Sequence, residues 1–438
     1  MFFDLLIINA DLMTLTGGDT TVARDCFIGV KADKIAATGP MANLSGELEA
    51  RQLIDASDCL VMPGLVNAHT HGAMTLLRGL ADDLPLMTWL HEHIFPAEAR
   101  SVNPEMVYWC SKLAAAELIM SGTTTVADGY FHEHDAACAL FDAGIRAVAA
   151  QGVIDFPAPG VPDPEKNVAT AAKFMDAWGN NELITPAVFC HSPYTCSPGT
   201  LKKAKAAADA HNALFFIHVA ETADEVEQVR ELYGDTPIRY LYKLGVLDER
   251  TVSIHTVWVD EAEIDILGQS GAGVVHCPES NMKLAAGVSP VPRMLAAGIP
   301  VSLGTDGCAS NNNLDLFQEM DSCAKLHKIH NQDPTVLTAA QALAMATVNG
   351  ARTLHMDHKA GTIEAQKNAD LILIDMNKPH LTPRHNLDSL LTYSATGADV
   401  KSVIINGRLV MRDRRILSFD LEETLQKVME LSAEFDGI

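Results

Sequence analysis

Between residues 59 and 358 the chain alternates eight β-rich runs with helical stretches, and this alternation constrains the fold more than any other feature. The runs are Leu60 to His69, Thr123 to Asp128, Arg146 to Gln151, Ile184 to His191, Leu214 to His218, Thr251 to His255, Gly273 to His276 and Ile299 to Gly304. The clearest helical pattern places Met106, Trp109, Leu113, Ala116 and Met120 on one face, with Gly122 as its stop. Strands alternating with helices predict a parallel sheet, and eight such units predict an α/β fold of the (β/α)8 TIM-barrel type. An open doubly wound sheet is the competing arrangement, but no GxGxxG follows the first run.

The two ends of the chain have a different texture. Residues 1–58 hold strand-sized pieces such as Asp4 to Asn9 and Phe27 to Lys31, separated by Gly and Asp. Residues 359–438 repeat it in Ala369 to Asp375 and Val400 to Gly407, and close on a C-terminal helix. Neither end is large enough for a core of its own. The expectation is a small composite β-sandwich built from both termini, with residues 59–358 inserted as the barrel.

Composition excludes several function classes. Lys and Arg number 32 against 56 Asp and Glu, a formal charge of −24, so no basic footprint for nucleic acid or an anionic membrane is expected. Hydrophobic residues make up 48%, enough for a packed core. The nine cysteines include no CxxC pair and fall mostly inside apolar runs, which suits buried thiols in a reducing compartment. Asp4 stands where a signal peptide would carry positive charge, and no apolar run reaches the ~18 residues of a membrane span. A cytoplasmic protein, with homo-oligomerisation open, is the expectation.

In a barrel of this kind the chemistry sits at the C-terminal ends of the strands. The runs here end in metal-capable side chains: His69 and His71, His191, His218, His255, His276 and Asp306. His69 and His71 are two apart, a spacing that puts both on one face of a strand. With His218 and Asp306 they make three imidazoles and one carboxylate, a set that suits Zn²⁺, or Fe²⁺, with a position left for water. Glu221 follows His218 in His-Val-Ala-Glu-Thr and is placed to move protons, although a Glu opening a helix has the same pattern. His255 would hydrogen-bond the reacting centre, or else be a satisfied core histidine. His276 is open between the two. No Lys lies in or at the end of the third and fourth runs, so a carbamylated lysine bridging two metals has no candidate there, which favours one metal.

These residues carry a resemblance. Pro63-Gly-Leu-Val-Asn-Ala-His69-Thr-His71, His218, His255 and Leu303-Gly-Thr-Asp306-Gly resemble the amidohydrolase superfamily along essentially the whole chain. Further stretches are similar to the family of 5′-methylthioadenosine/S-adenosylhomocysteine deaminases within it. They are His71 to Gly79, Trp89-Leu, Phe95-Pro-Ala-Glu98, Tyr130-Phe-His, His191-Ser-Pro-Tyr194, Ser280 to Leu284 and Thr305 to Asn312. The resemblance implies that His69, His71, His218 and Asp306 hold one zinc. It implies that Glu221 shuttles protons and touches substrate, that His255 orients the hydroxide and that Asp306 accepts its proton. It also implies that His191 contacts the purine, Glu98 the ribose hydroxyls and Trp89 the 5′ substituent, with Ser310 a further contact.

Two departures stand out. Family members that take S-adenosylhomocysteine are expected to carry arginines after the third strand, and here Gln151 stands at that place. The loop Asp155 to Lys166 has no Arg either, and it is rich in proline with Phe156. The implied activity is therefore zinc-dependent hydrolytic deamination of 5′-methylthioadenosine and adenosine, with S-adenosylhomocysteine less favoured unless Lys166 compensates. A deaminase or dechlorinase acting on guanine-like or triazine rings is the alternative, and a dead barrel kept for binding the remote one. The second departure is Gln366, which stands where a Gly turn is usual.

Overall fold

The computed structural model describes residues 2–44, 50–84 and 88–436. Its central sheet is parallel throughout and closes on itself. The strands are β1 (Leu65–His71), β2 (Thr123–Tyr130), β3 (Arg146–Val153), β4 (Ile184–Cys190), β5 (Phe215–Val219), β6 (Thr251–His255) and β7 (Gly273–His276). The last, β8, comes in two pieces, Val301–Leu303 and Asp306–Gly307. The first piece pairs with β7, and the second pairs with β1 through Asp306 to Thr70 and Gly307 to His71. That pairing completes an eight-stranded barrel, as the alternation predicts.

The inside of the barrel is filled by alternate residues of each strand. Val148, Ala150, Ala187, Phe189, Phe216, Val252, Ile254 and Val275 form one inner cluster. Their neighbours Ala147, Ala149, Val188, Ile217 and Val274 join the outer layer between strands and helices.

The termini build a second sheet around the pair Cys59–Pro63 and Leu371–Asp375, which run antiparallel with Met62 opposite Ile372. Phe3–Met13 adds parallel to Cys59–Pro63, and Val400–Ile405 adds antiparallel to Leu371–Asp375. Period-two alternation divides its side chains between two cores. Leu60, Met62, Ile372, Ile374, Val403 and Ile405 pack on the barrel layer. Val61, Leu371, Leu373 and Ile404 pack with Leu5, Ile7, Ile28 and Ile35 in the sheet's own core.

Two sequence expectations are adjusted. The run Leu60 to His69 is two strands, because Cys59–Pro63 pairs within the terminal sheet and the chain enters the barrel only after Gly64. The helix Pro104–Met120 forms, capped by the Asn103 side chain on the Met106 amide. Its barrel side, however, is made by Ala114, Ala115, Leu118 and Ile119. The expected stripe is only partly buried at Trp109 and Leu113, which sit under Val428 and Leu431 of the C-terminal helix Leu421–Asp436. Covered on two sides, this helix carries apolar residues on two faces, and a single periodic stripe misreads it. Gln366 takes the left-handed turn usually given to glycine, at φ 73°.

All nine cysteines are free and eight of them are buried. Among the described residues no helix is long and apolar enough to cross a membrane.

One buried ion pair fastens the two sheets together. Arg146, at the start of β3, donates to Asp370 through Nε at 2.7 Å and Nη2 at 3.1 Å, and both side chains are at most 2% exposed. The guanidinium also donates to the Asn406 side chain and the Glu182 carbonyl. Removing one partner strands a buried charge, a loss of about 3–5 kcal/mol, whereas replacing both by apolar groups restores much of the loss. Asp370→Ala therefore lowers the thermal unfolding midpoint, and Arg146→Met with Asp370→Leu recovers most of the shift. Melting curves showing the double variant no better than the single would overturn this.

Candidate active site

The four metal-capable residues singled out in the sequence meet at one point, with a donor atom of each of His69, His71, His218 and Asp306 within 4.8 Å of the others. Asp306 Oδ1 lies 3.3 Å from Nε2 of both His69 and His71. Nε2 of His218 lies 3.4 Å from Nε2 of His69. The His71 Nδ1–H donates to the Gly129 carbonyl at 2.5 Å, which fixes the tautomer and leaves Nε2 as the free lone pair. Burial pushes His69 down to about 4 and His218 well below the usual imidazole range, so both rings are neutral. Burial alone would raise Asp306. The hydrogen bond to His69 and the neighbouring imidazoles outweigh that and hold its carboxyl well below the usual range. Neutral imidazoles and an ionised carboxylate are the protonation states that a divalent cation requires of its ligands. The donor set thus fits a metal with N and O ligands.

The strands do not deliver these side chains by regular alternation. On β5, Phe216 faces inward, so His218 does too; on β4, Phe189 faces inward and His191 follows at the strand's end. On β1, Val66 and Ala68 face inward, and the pairing register with β2 shifts between Asn67 and Thr70. That irregularity turns His69 into the barrel, where its ring stacks on Phe189 at 5.7 Å. Gly304 permits the approach, because a Cβ there would lie 2.8 Å from the His69 Cβ. His255 and Asp306 are turned by left-handed backbone, at φ 67° and 61°. Such conformations cost about 1–3 kcal/mol each and persist where the surroundings over-determine them. Here Asn281 Oδ1 holds His255 Nδ1 at 3.0 Å, and Ser280 and Ser310 donate to Asp306 Oδ2 at 2.7 and 2.8 Å.

Glu221 sits at the rim of this cluster. Its Oε2 is 3.8 Å from His255 Nε2, too long for a direct hydrogen bond and suited to a small bridging group. Burial pushes its carboxyl up. The loop that carries it is held by Glu225, whose two oxygens accept the amides of Ala220 and Glu221, each at 2.8 Å. Sequence reading passed over Glu225, yet Thr222 and Glu225 have the spacing of a capping box, and Thr222 does cap the following helix. In the sequence Ser280 and Asn281 stand out only as part of a motif; in the structure they hold Asp306 and His255.

Above the cluster lies a cavity of about 320 Å³ lined by Trp89, Glu98, His191, Glu221, His255, Asp306 and Ser310 among others. Glu98 is 5% exposed, accepts from the Tyr130 hydroxyl at 2.6 Å, and is pushed up to about 7 by burial. His191 is kept neutral by burial, down to about 4, with Nδ1 on the Thr195 hydroxyl and Nε2 left for a ligand. Two residues singled out for the 5′ tail lie outside this lining. Gln151 does not line the cavity: on β3 it shares the outward parity of Ala147 and Ala149, and Gly152 takes the inward place. Lys166 is also absent from the lining; it is largely exposed and pairs with Asp163. His276 is not in the cavity either, being on the outward parity of β7.

A sequence model of the amidohydrolase family matches residues 60–410. The chain belongs to that family. It is 47% identical over 425 residues to a 5-methylthioadenosine/S-adenosylhomocysteine deaminase of Syntrophobacter fumaroxidans, covering 97% of each chain. An adenosine deaminase from Xanthomonas campestris, solved with bound zinc, superposes at a TM-score of 0.97 with 36% identity, covering 100% of this chain and 99% of that one. Atrazine chlorohydrolase from Arthrobacter aurescens shares the fold at a TM-score of 0.89 and 21% identity, with 98% and 100% covered.

The position of Glu225 makes a kinetic prediction. Glu225→Ala removes the acceptor that holds Ala220 and Glu221, and lowers kcat by about 10–100-fold while KM changes less. Steady-state kinetics on a variant with an unchanged melting curve is the check, and unaltered turnover would count against it.

Proposed function

We propose that this chain is a zinc-dependent hydrolytic deaminase that replaces the 6-amino group of a 5′-modified adenosine, giving the inosine analogue and ammonia. The observation that carries this reading is the pairing of Glu221 and His255 across 3.8 Å beside the three-imidazole, one-carboxylate cluster. The names of the relatives at 47% and 36% identity support the substrate class.

His69, His71, His218 and Asp306 would hold the ion, which when bound makes hydroxide available near neutral pH. The protein's own groups do the rest. Asp306 takes the proton of the attacking water, and His255, fixed by Asn281, orients that water toward C6 of the purine. Glu221 delivers a proton to the adjacent ring nitrogen, and proton transfer to the amino group lets ammonia leave. His191 hydrogen-bonds the purine, Glu98 accepts from the ribose hydroxyls, and Trp89 packs near the 5′ substituent.

The 5′ end of the cavity supports 5′-methylthioadenosine as the preferred substrate. Phe95, Phe156, Pro157 and Pro159 line that wall, and among the described residues no Arg or Lys lines the cavity. A methylthio group buries well against such a wall. The homocysteine tail would bring a carboxylate with no cation to meet it, a loss of about 1–3 kcal/mol or more.

Two measurements test the reading. In steady-state kinetics kcat/KM is expected to be highest for 5′-methylthioadenosine, with adenosine accepted and S-adenosylhomocysteine about tenfold or more lower. A maximum at S-adenosylhomocysteine would sink the argument from the cavity wall. Glu221→Gln, with its metal content verified, is expected to lose about 10²–10⁴-fold in kcat. Near-normal turnover in that variant would remove Glu221 from proton transfer.

A further inference from the structure

A second cluster of metal-capable side chains lies outside the cavity. His276 at the end of β7, with Cys323 and His327 one turn apart on the helix Leu316–Asn331, bring one donor atom each within 4.8 Å of the others. Cys323 and His327 are four residues apart, so both project from one face of the helix toward the strand. All three residues are 0% exposed.

The two imidazoles face each other through Nε2, 3.3 Å apart. Two nitrogens at zinc-ligand distance and the tetrahedral angle lie about 3.3–3.4 Å apart. The same spacing, 3.4 Å, separates Nε2 of His69 and His218 at the catalytic centre. A hydrogen bond explains the buried pair less well. Each neutral imidazole has one N–H, so a ring that accepts at Nε2 must carry its proton on Nδ1. Neither His276 Nδ1 nor His327 Nδ1 has a partner, and 3.3 Å is long for an N–H donor. Burial keeps both rings neutral, with His327 down to about 4, so their lone pairs are available.

We propose that His276, Cys323 and His327 form a second, structural site for a thiophilic d¹⁰ cation, Zn²⁺ or Cu⁺, distinct from the catalytic centre. Two imidazoles and a thiolate complete a three-coordinate set for Cu⁺ and supply three of the four ligands of a tetrahedral Zn²⁺, the fourth left to a water, whereas Mg²⁺ and Ca²⁺ take oxygen ligands. On binding, the Cys323 thiol gives its proton to solvent and the sulfur becomes the ligand. Because the site is fully buried, it fills as the chain folds. The ion would pin the end of β7 to the helix Leu316–Asn331. The same helix reaches the active site through Glu319, which accepts from the Asn311 side chain in the loop after Asp306.

Cobalt reads the site directly, since only a cysteine ligand gives thiolate-to-cobalt charge-transfer absorption, and the catalytic set has no sulfur. Protein expressed with Co²⁺ is expected to show that band beside the ligand-field bands of the catalytic ion, and Cys323→Ser is expected to lose it. Ligand-field bands with no charge-transfer band in the wild-type protein would overturn the proposal, whether or not the variant folds. Metal analysis of protein expressed with zinc or with copper then identifies the ion. It is expected to find one equivalent beyond the catalytic one in the wild type, and to find it missing in Cys323→Ser; equal content in both would likewise count against the site.

Discussion

A carboxylate buried among imidazoles organises this molecule. Asp306 is 6% exposed, and a charge so far from water has to be met on every side. One oxygen faces His69 and His71, and the other accepts from Ser280 and Ser310. These contacts join β1, the short helix Pro278–Lys283 after β7, and β8 at a single atom group, and the backbone pairing of Asp306 with Thr70 closes the barrel at the same place. The residue that closes the sheet is therefore also the one that anchors the site. Either role without the other would leave a buried charge unpaired or a sheet edge open.

The fold was legible because it depends on coarse periodicity. Eight runs of strand length separated by helical stretches admit few closed arrangements, and turn-rich β segments at both ends are too small to stand alone. The ligand set was legible for a similar reason: His69, His71, His218 and Asp306 end apolar runs, and barrel chemistry belongs at strand ends. What alternation could not supply was orientation. Strict parity assigns His218 and His191 to the cavity, but it assigns His255 outward together with His276 and Gln151. A left-handed residue at His255 reverses its direction, while His276 and Gln151 keep theirs. Nothing in the local residue types distinguishes His255 from His276, because the difference lies in tertiary contacts. Asn281 receives the turned ring of His255, and the helix Leu316–Asn331 receives the other.

The supporting residues were hidden for a different reason. Glu225, Asn281 and Ser280 touch backbone amides or other side chains of the site and not the cavity's centre. A Glu on a helix's first turn or a Ser before an Asn has many ordinary uses, so residue type alone carries little information. Their importance comes from strain. Ala220, His255, Thr256 and Asp306 all take positive φ, and each needs partners that make the unusual backbone the best available one. Glu225 does this for Ala220, while the Thr256 amide bonds the Val219 carbonyl and so ties β6 to β5 at the strained point.

Charge, which at first only excluded partners, acquires a local meaning in the cavity. Glu98, Glu221, Glu225 and Asp306 all line it, and among the described residues no Arg or Lys does. Burial keeps His69, His191 and His218 neutral, so a cation held at the strand ends would help balance these carboxylates. A ligand tail bearing a carboxylate would add to an excess that the pocket does not answer. A thioether tail would add none and would bury against Phe95 and Phe156. Gln151 is neutral and turned outward, and the loop after β3 brings Phe156, Pro157 and Pro159 to the wall. The substitution to watch in close relatives is therefore on that wall, at Phe156 and its neighbours, more than at Gln151 itself.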